Sequence, residues 1–347
     1  MNRLKLPSWL PVDGYILALV ATVVLATLLP ASGPAATVLG RVTTGAVAFL
    51  FFLYGTRLST AETVEGLRHW RLHLTVLAAT FVAFPLLGLA GRALVPQILT
   101  PELYNGFLFL CLVPSTIQSS ITFTSIARGN VAAAICAGSF SSIIGIVLTP
   151  LLAALLISGG SAGFSMDSLL KIVLQLLVPF LAGQLLRRWI GGPVARHKKG
   201  LSYFDRGSIL LVVYAAFSAG MVQGIWQQVS AARLVALLGV EAVLLAVMLG
   251  LTWYGSKRLG FARADRVAIQ FAGSKKSLAA GLPMATVLFG AHASLAVLPL
   301  MLFHQMQLMV CAVIARRRAG DVTADDAPDG VRDPSTRSAP VAGKIAG

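Results

Sequence analysis

Residues 266–290 read RVAIQFAGSKKSLAAGLPMATVLFG. A helix of that length rises about 1.5 Å per residue and is long enough to cross a bilayer core of about 30 Å. Near its middle, however, it carries Gly273, Ser274, Lys275, Lys276 and Ser277. Two adjacent lysines in an apolar span cost roughly 2.5–3.5 kcal/mol each on insertion scales. A chain keeps such residues where the backbone opens onto protein or water. The stretch therefore predicts a broken transmembrane helix that forms half of a transport site.

The composition agrees with a polytopic membrane protein. Of 347 residues, 56% are hydrophobic and only 12% charged, with a mean hydropathy of +0.81, whereas soluble domains carry about 25% charged residues. The formal net charge of +15 is spread in short basic clusters between apolar runs, where the positive-inside rule puts them. No basic face with interleaved aromatics is present, so nucleic acid is not expected as a partner. Cys111, Cys136 and Cys311 lie within apolar runs without ligand spacing and read as small buried hydrophobes. Arg3 and Lys5 ahead of Tyr15–Leu29 resemble a signal peptide, but the run's length and the later spans favour a first transmembrane helix.

Apolar runs of spanning length fall at about 14–30, 41–58, 72–95, 104–127, 131–157, 168–190, 207–226, 232–255, 266–290 and 292–314. With a cytoplasmic N-terminus, nineteen lysines and arginines fall on inside segments, including Arg187, Arg188, Arg263, Arg266 and Arg316–Arg318. Only Arg41, Arg92, Lys171 and Arg233 fall outside. That asymmetry predicts ten spans with both termini cytoplasmic, in a plasma membrane or a bacterial inner membrane. Omitting 266–290 would put Arg316–Arg318 on the outside.

The fold class that follows is an all-α polytopic membrane protein of ten transmembrane helices in two inverted five-helix repeats. Residues 1–160 form the first repeat, 161–318 the second, and 319–347 a disordered cytoplasmic tail rich in Asp, Pro, Ala and Gly. An odd number of spans per half forces a duplicated unit to insert upside down. The fourth span of each half is interrupted, by Pro114-Ser115-Thr116-Ile117-Gln118-Ser119-Ser120 in the first and Gly273–Ser277 in the second. Paired breaks at corresponding positions are the best sequence pointer to a transporter's binding site.

A broken helix exposes carbonyls at the end of its first half and N–H groups at the start of its second. Pro114 lacks an N–H, Ser115 is placed to cap the second half-helix, and Ser274 or Ser277 is placed to cap the segment running to Gly290. Two half-helix N-termini with Lys275 and Lys276 suit a small solute with an anionic group; alternatively, a lysine ammonium occupies the place of a coupling cation. The candidate substrate- or ion-binding residues are Ser115, Thr116, Gln118, Ser119, Ser120, Asn130, Gln270, Gly273, Ser274, Lys275, Lys276 and Ser277, with Glu241, His304 and Gln307 as further possibilities. Glu241 is the lone acid deep in an apolar run, able to pair with a lysine or carry a proton. Asn130 equally reads as a cap of the next helix. Gly138, Ser139, Ser141, Ser142 and Gly145 read as close-packing residues. No metal-ligand cluster, phosphate loop or nucleophile elbow is present, so neither an enzyme nor a bound cofactor is expected.

At these residues the chain resembles the bile acid:sodium symporter family, solute carrier family 10, and within it the divergent branch of the seventh vertebrate member and its bacterial relatives. The residues that carry the likeness are FFLYGTRLSTAETVEGLRHWRLHL (51–74), SSITFTSIARGNVAAAICAGSFSSIIGIVLTPLL (119–152), GSKKSLAAGLPM (273–284) and PLMLFHQMQ (299–307). The resemblance implies a panel of spans 1, 2, 6 and 7 moving against a core of the other six, with spans 4 and 9 crossing at the centre. It also implies departures. The sodium-coupled members carry a glutamate near Gln270 and Phe271 and a glutamine-asparagine pair where Lys275-Lys276 stand. Their span 4 asparagine falls near Ile121, and the hydroxyls early in span 5 fall at Ala134 and Gly138, while Ser120 and Asn130 match. Sodium, a proton, or a lysine in place of the cation are thus the alternatives for coupling. The competing reading is a non-transporting membrane regulator of ion, notably calcium, homeostasis. The sequence leaves the oligomeric state and any metal open.

Overall fold

The computed structural model describes residues 14–57, 69–157, 166–222, 224, 230–289 and 293–320. The expected tail beyond Gly320, the boundary at 158–165 and residues 58–68 lie outside the described residues. Among those described, all regular structure is helical: α1 Gly14–Leu28, α2 Gly33–Arg57, α3 Trp70–Leu94, α4 Pro101–Leu112, α5 Ile117–Ile126, α6 Val131–Leu156, α7 Met166–Arg196, α8 Lys198–Val222, α9 Ala231–Arg258, α10 Arg263–Gly273, α11 Leu278–Phe289 and α12 Ala293–Gly320.

Among the described residues, six helices are long and apolar enough to cross a membrane, within α2, α3, α6, α8, α9 and α12. A seventh follows if α4 and α5, bent by 63° about the Val113–Thr116 break, are one broken span. The remaining expected runs are helical too. α1 has 15 residues, about 22 Å at the usual rise, and α10 with α11 carries Arg263, Asp265, Arg266, Lys275 and Lys276 on or between its two pieces.

α1, α2, α7 and α8 pack mainly on one another, with α2 against α7 and α1 against α8. The α2–α7 contact brings backbones together. A Cβ on Gly55 would lie 2.0 Å from the Phe180 carbonyl oxygen, and one on Gly183 2.1 Å from that of Phe52. Both positions therefore require glycine, the small-residue packing that membrane helices use. Tyr214 Oη donates to the Leu29 carbonyl at 2.7 Å and ties α8 to the end of α1.

The other helices form the group that contains the breaks, with α4 on α12, α9 on α10 and α5 on α6. A buried apolar core runs through it, including Phe84, Phe109, Phe271 and Phe303, with Phe84 and Phe303 edge to face at 6.2 Å. α3 is not uniform. It passes through a π turn at Ala79–Ala83 and tightens to a 3-10 turn at Gly91–Leu94. Pro85 follows the π turn, and having no N–H it cannot close the i→i+5 bond onto the Thr80 carbonyl. That carbonyl is left for another donor.

Candidate transport site

The two breaks meet. Ser277 N donates to the Pro114 carbonyl at 2.8 Å, Ser115 Oγ donates to the Ala272 carbonyl, and Ser120 Oγ donates to the Phe271 carbonyl at 3.0 Å. Each break thus supplies donors to carbonyls that the other helix end leaves unpaired.

Lys276 is the clearest case. It is fully buried, and its Nζ donates to three backbone carbonyls: Thr80 at 2.9 Å, Cys111 at 2.8 Å and Val113 at 2.8 Å. The ring of Phe84 lies 4.1 Å from the ammonium, close enough for a cation–π contact. An ammonium has three donors, and all three find acceptors here. The carbonyls come free for stated reasons. Pro85 leaves Thr80 without its donor, and α4 ends at Leu112, so Cys111 loses the N–H of Ser115, which turns to Ser141 Oγ instead, and Val113 lies beyond the helix. The intervening Leu112 carbonyl accepts from Thr149 Oγ1 at 2.9 Å.

The backbone of Lys276 is held as well. Its N–H donates to Gln307 Oε1 at 2.8 Å, and its carbonyl accepts from Gln307 Nε2 at 2.8 Å. Gln307 Nε2 also lies 2.8 Å from His304 Nδ1. One amide on α12 therefore pins the peptide on both sides of the lysine, in the manner of a paired strand.

Lys275 points elsewhere but is equally buried. Its Nζ donates to Ser119 Oγ at 3.1 Å and sits 4.5 Å from the Phe123 ring and 5.7 Å from that of Phe271. Its surroundings supply one oxygen and two ring faces, against three carbonyls and one ring for Lys276.

The caps differ in part from expectation. Ser277 does cap α11, its Oγ accepting from Ala280 N at 3.2 Å. Thr116, not Ser115, precedes α5, and its side chain makes no capping bond. Ser115 is drawn away because its hydroxyl is bound to α10 and its N–H donates to Ser141 Oγ on α6 at 2.9 Å. Ser274 turns back on its own helix, its Oγ donating to the Gln270 carbonyl at 2.6 Å. α6 comes this close because Gly145 lies under Pro114, where an added Cβ would fall 2.7 Å from the proline Cβ.

Of the expected site residues, Ser115, Thr116, Ser119, Ser120, Gly273, Ser274, Lys275, Lys276 and Ser277 lie together at the crossing, with His304 and Gln307 beside them. Gln270 is buried and donates through Nε2 to the Leu249 carbonyl at 3.2 Å, while its Oε1 has no hydrogen-bond partner. Three others stand apart. Gln118 is exposed. Asn130 caps α6, its Oδ1 accepting from Ala133 N at 3.0 Å, and its Nδ2 donates to Asp265 Oδ1 at 2.8 Å. Glu241 is fully buried, with no hydrogen-bond partner for either carboxyl oxygen. Sequence reasoning missed Thr80, Phe84 and the carbonyls of Cys111 and Val113. Pro85 was the available signal for Thr80.

A crevice of about 350 Å³ opens between the two groups of helices, walled by Thr43 and Thr44 of α2, Ala216 and Ala219 of α8 and Thr286 of α11. Its lining is uncharged and includes neither lysine. Among the described residues no group of His, Cys, Asp and Glu is arranged to hold a metal.

A family model described as the SBF-like CPA transporter family matches residues 13–319. An uncharacterized protein of Pseudomonas aeruginosa is 56% identical over 315 residues, covering 90% of this chain and 94% of that protein. The putative symporter YfeH of Escherichia coli K12 is 49% identical over 306 residues, 88% of this chain and 92% of its own. Sodium/bile acid cotransporter 7 of Mus musculus is 32% identical over 279 residues, 78% and 80% respectively.

Proposed function

The chain belongs to the SBF-like CPA transporter family, and from that premise we propose that it is a secondary-active symporter-like transporter in which Lys276 fills the place of a bound cation. The observation that carries this is the convergence of three backbone carbonyls on Lys276 Nζ at 2.8–2.9 Å. Several oxygens converging on one point are what a small hard cation asks of a protein, and here a tethered ammonium takes them at hydrogen-bond distance. Cotransport of sodium, which the name of the mouse relative carries, is accordingly not required in this chain.

The architecture that fits is ten crossings in two inverted repeats, 1–160 and 161–318, with the breaks in the fourth crossing of each half. In support of it, α1 packs on α8 and α2 on α7, so that exchanging the two halves turns one pair into the other. Both termini would be cytoplasmic by the distribution of arginine and lysine.

Both ammoniums are already engaged, so recognition of an organic anion falls to the N–H groups at the starts of α5 and α11. The crevice between α2, α8 and α11 is the route by which a solute approaches them. Purified protein screened by thermal shift against organic anions reveals a binder through mass action, and that binder is then followed into proteoliposomes. Saturable uptake abolished by Lys276→Ala supports the proposal. Binding without any uptake would replace it with the regulator reading.

A further inference from the structure

We propose that Glu241 binds and releases the proton that drives the transport cycle, an inference that rests on the transporter reading above. Glu241 lies on the face of α9 that also buries Leu237, Leu244, Leu245 and Met248. It is fully enclosed, and both carboxyl oxygens are buried without a hydrogen-bond partner. An ionised carboxylate in such surroundings is an uncompensated charge in a low dielectric, a state that buried acids leave by taking a proton or a cationic partner. No cation pairs with it among the described residues, and an enclosed acid without a partner favours its neutral form.

Its neighbours connect it to the crossing. Gln270 Nε2, on α10, donates to the Leu249 carbonyl of α9 at 3.2 Å, and a Cβ added to Gly273 at the break would lie 3.1 Å from Thr252 Cγ2 of α9. A change of charge on Glu241 therefore falls on the helix that braces the second break. The other titratable groups on the helices packed against α9 are engaged elsewhere. Arg266 and Arg318 both rest on Trp253, at 4.0 and 3.1 Å, about 18 Å along the helix from Glu241 at the usual rise. Arg263 donates to the Arg318 carbonyl, Asp265 accepts from Asn130, His304 contacts Gln307, and Cys311 is a buried thiol. Lys257 and Arg258 close the end of α9, and Arg316 and Arg317 lie near the end of α12. The chemistry balances simply: a proton from water on one side forms the carboxyl O–H bond, and the same proton returns to water on the other side after the crossing moves.

Two measurements on the full-length purified protein test this without a known solute. Infrared difference spectra between mildly acidic and alkaline buffer report the C=O stretch of a protonated carboxylic acid. The band is expected in the wild type at neutral pH, lost in Glu241→Gln and shifted in Glu241→Asp, which serves if the glutamine variant does not fold. Hydrogen exchange over residues 111–120 and 273–277 is expected to change with pH in the wild type and to be flat in Glu241→Gln. A band missing from the wild type or persisting in Glu241→Gln overturns the proposal. Loss of the band with the same pH response of exchange in both proteins also overturns it. The transporter reading is judged separately, by solute uptake.

Discussion

The carbonyl of Thr80, in the π turn of α3, accepts a hydrogen bond from Lys276 Nζ at 2.9 Å, joining a distortion in one helix to the break in another. The contact is to the backbone. The Thr80 hydroxyl instead donates to the Val76 carbonyl at 2.8 Å. Thr80→Val is therefore expected to cost about 0.5–1.5 kcal/mol, the worth of one hydrogen bond, and to leave transport intact. Equilibrium unfolding and uptake of the variant check this; loss of uptake in a folded protein would give the side chain a role that the geometry does not.

Gln307 holds the peptide on both sides of Lys276. Gln307→Ala leaves a buried N–H and a buried carbonyl unpaired, at about 1–3 kcal/mol each, and Gln307→Glu keeps the acceptor while losing the donor. The expected order of apparent Tm is wild type, then Glu, then Ala. Equal Tm values for all three would mean that water or another side chain replaces the amide.

The break in the first half leans on α6 at Gly145. Gly145→Val drives a branched side chain into the Pro114 ring, a rigid neighbour, and is expected to destabilise by about 1–3 kcal/mol or more, as overpacking does. Gly239→Ala is the control, since nothing lies within 4 Å of its added Cβ. Unfolding in detergent separates the two. Similar stabilities would show that Pro114 is free to move.

Lys275 has one hydroxyl partner and two aromatic rings. Ser119→Ala is expected to lower stability by about 1 kcal/mol, as a single hydrogen bond does. Lys275→Met, which keeps the length and removes the charge, is expected to cost more in transport than in stability. Comparing uptake with Tm for the two variants decides it, and full uptake by Lys275→Met would leave Lys275 a packing residue.

Much of this was legible in the sequence because it rests on chain chemistry. Pro114, Gly273 and the lysine pair fixed where two helices had to stop, and Ser277 was one of two caps that spacing allowed. The partners of the lysines were not legible. Backbone carbonyls carry no residue code, and the three around Lys276 come from two helices far away in the chain. Ser115 misled for a related reason. Its local capping role lost to a carbonyl of α10 that only the folded chain brings near. Asn130 caps α6 as its position allowed, whereas its bond to Asp265, a residue 135 positions on, was not legible. The uncharged crevice and the isolation of Glu241 depend on which faces meet, and hydropathy is blind to that.

The central claim is that Lys276 occupies a cation's place. Thermal unfolding of the wild type and of Lys276→Ala, each in sodium and in choline at matched ionic strength, tests it most directly. Removing the ammonium leaves three buried carbonyls unpaired at about 1–3 kcal/mol apiece, and a cation bound to the folded state restores stability by mass action. The wild type is expected to show the same apparent Tm in both salts, and Lys276→Ala a lower Tm that sodium raises and choline does not. A steep, saturable sodium stabilisation of the wild type, or a Lys276→Ala protein indifferent to sodium, would contradict it.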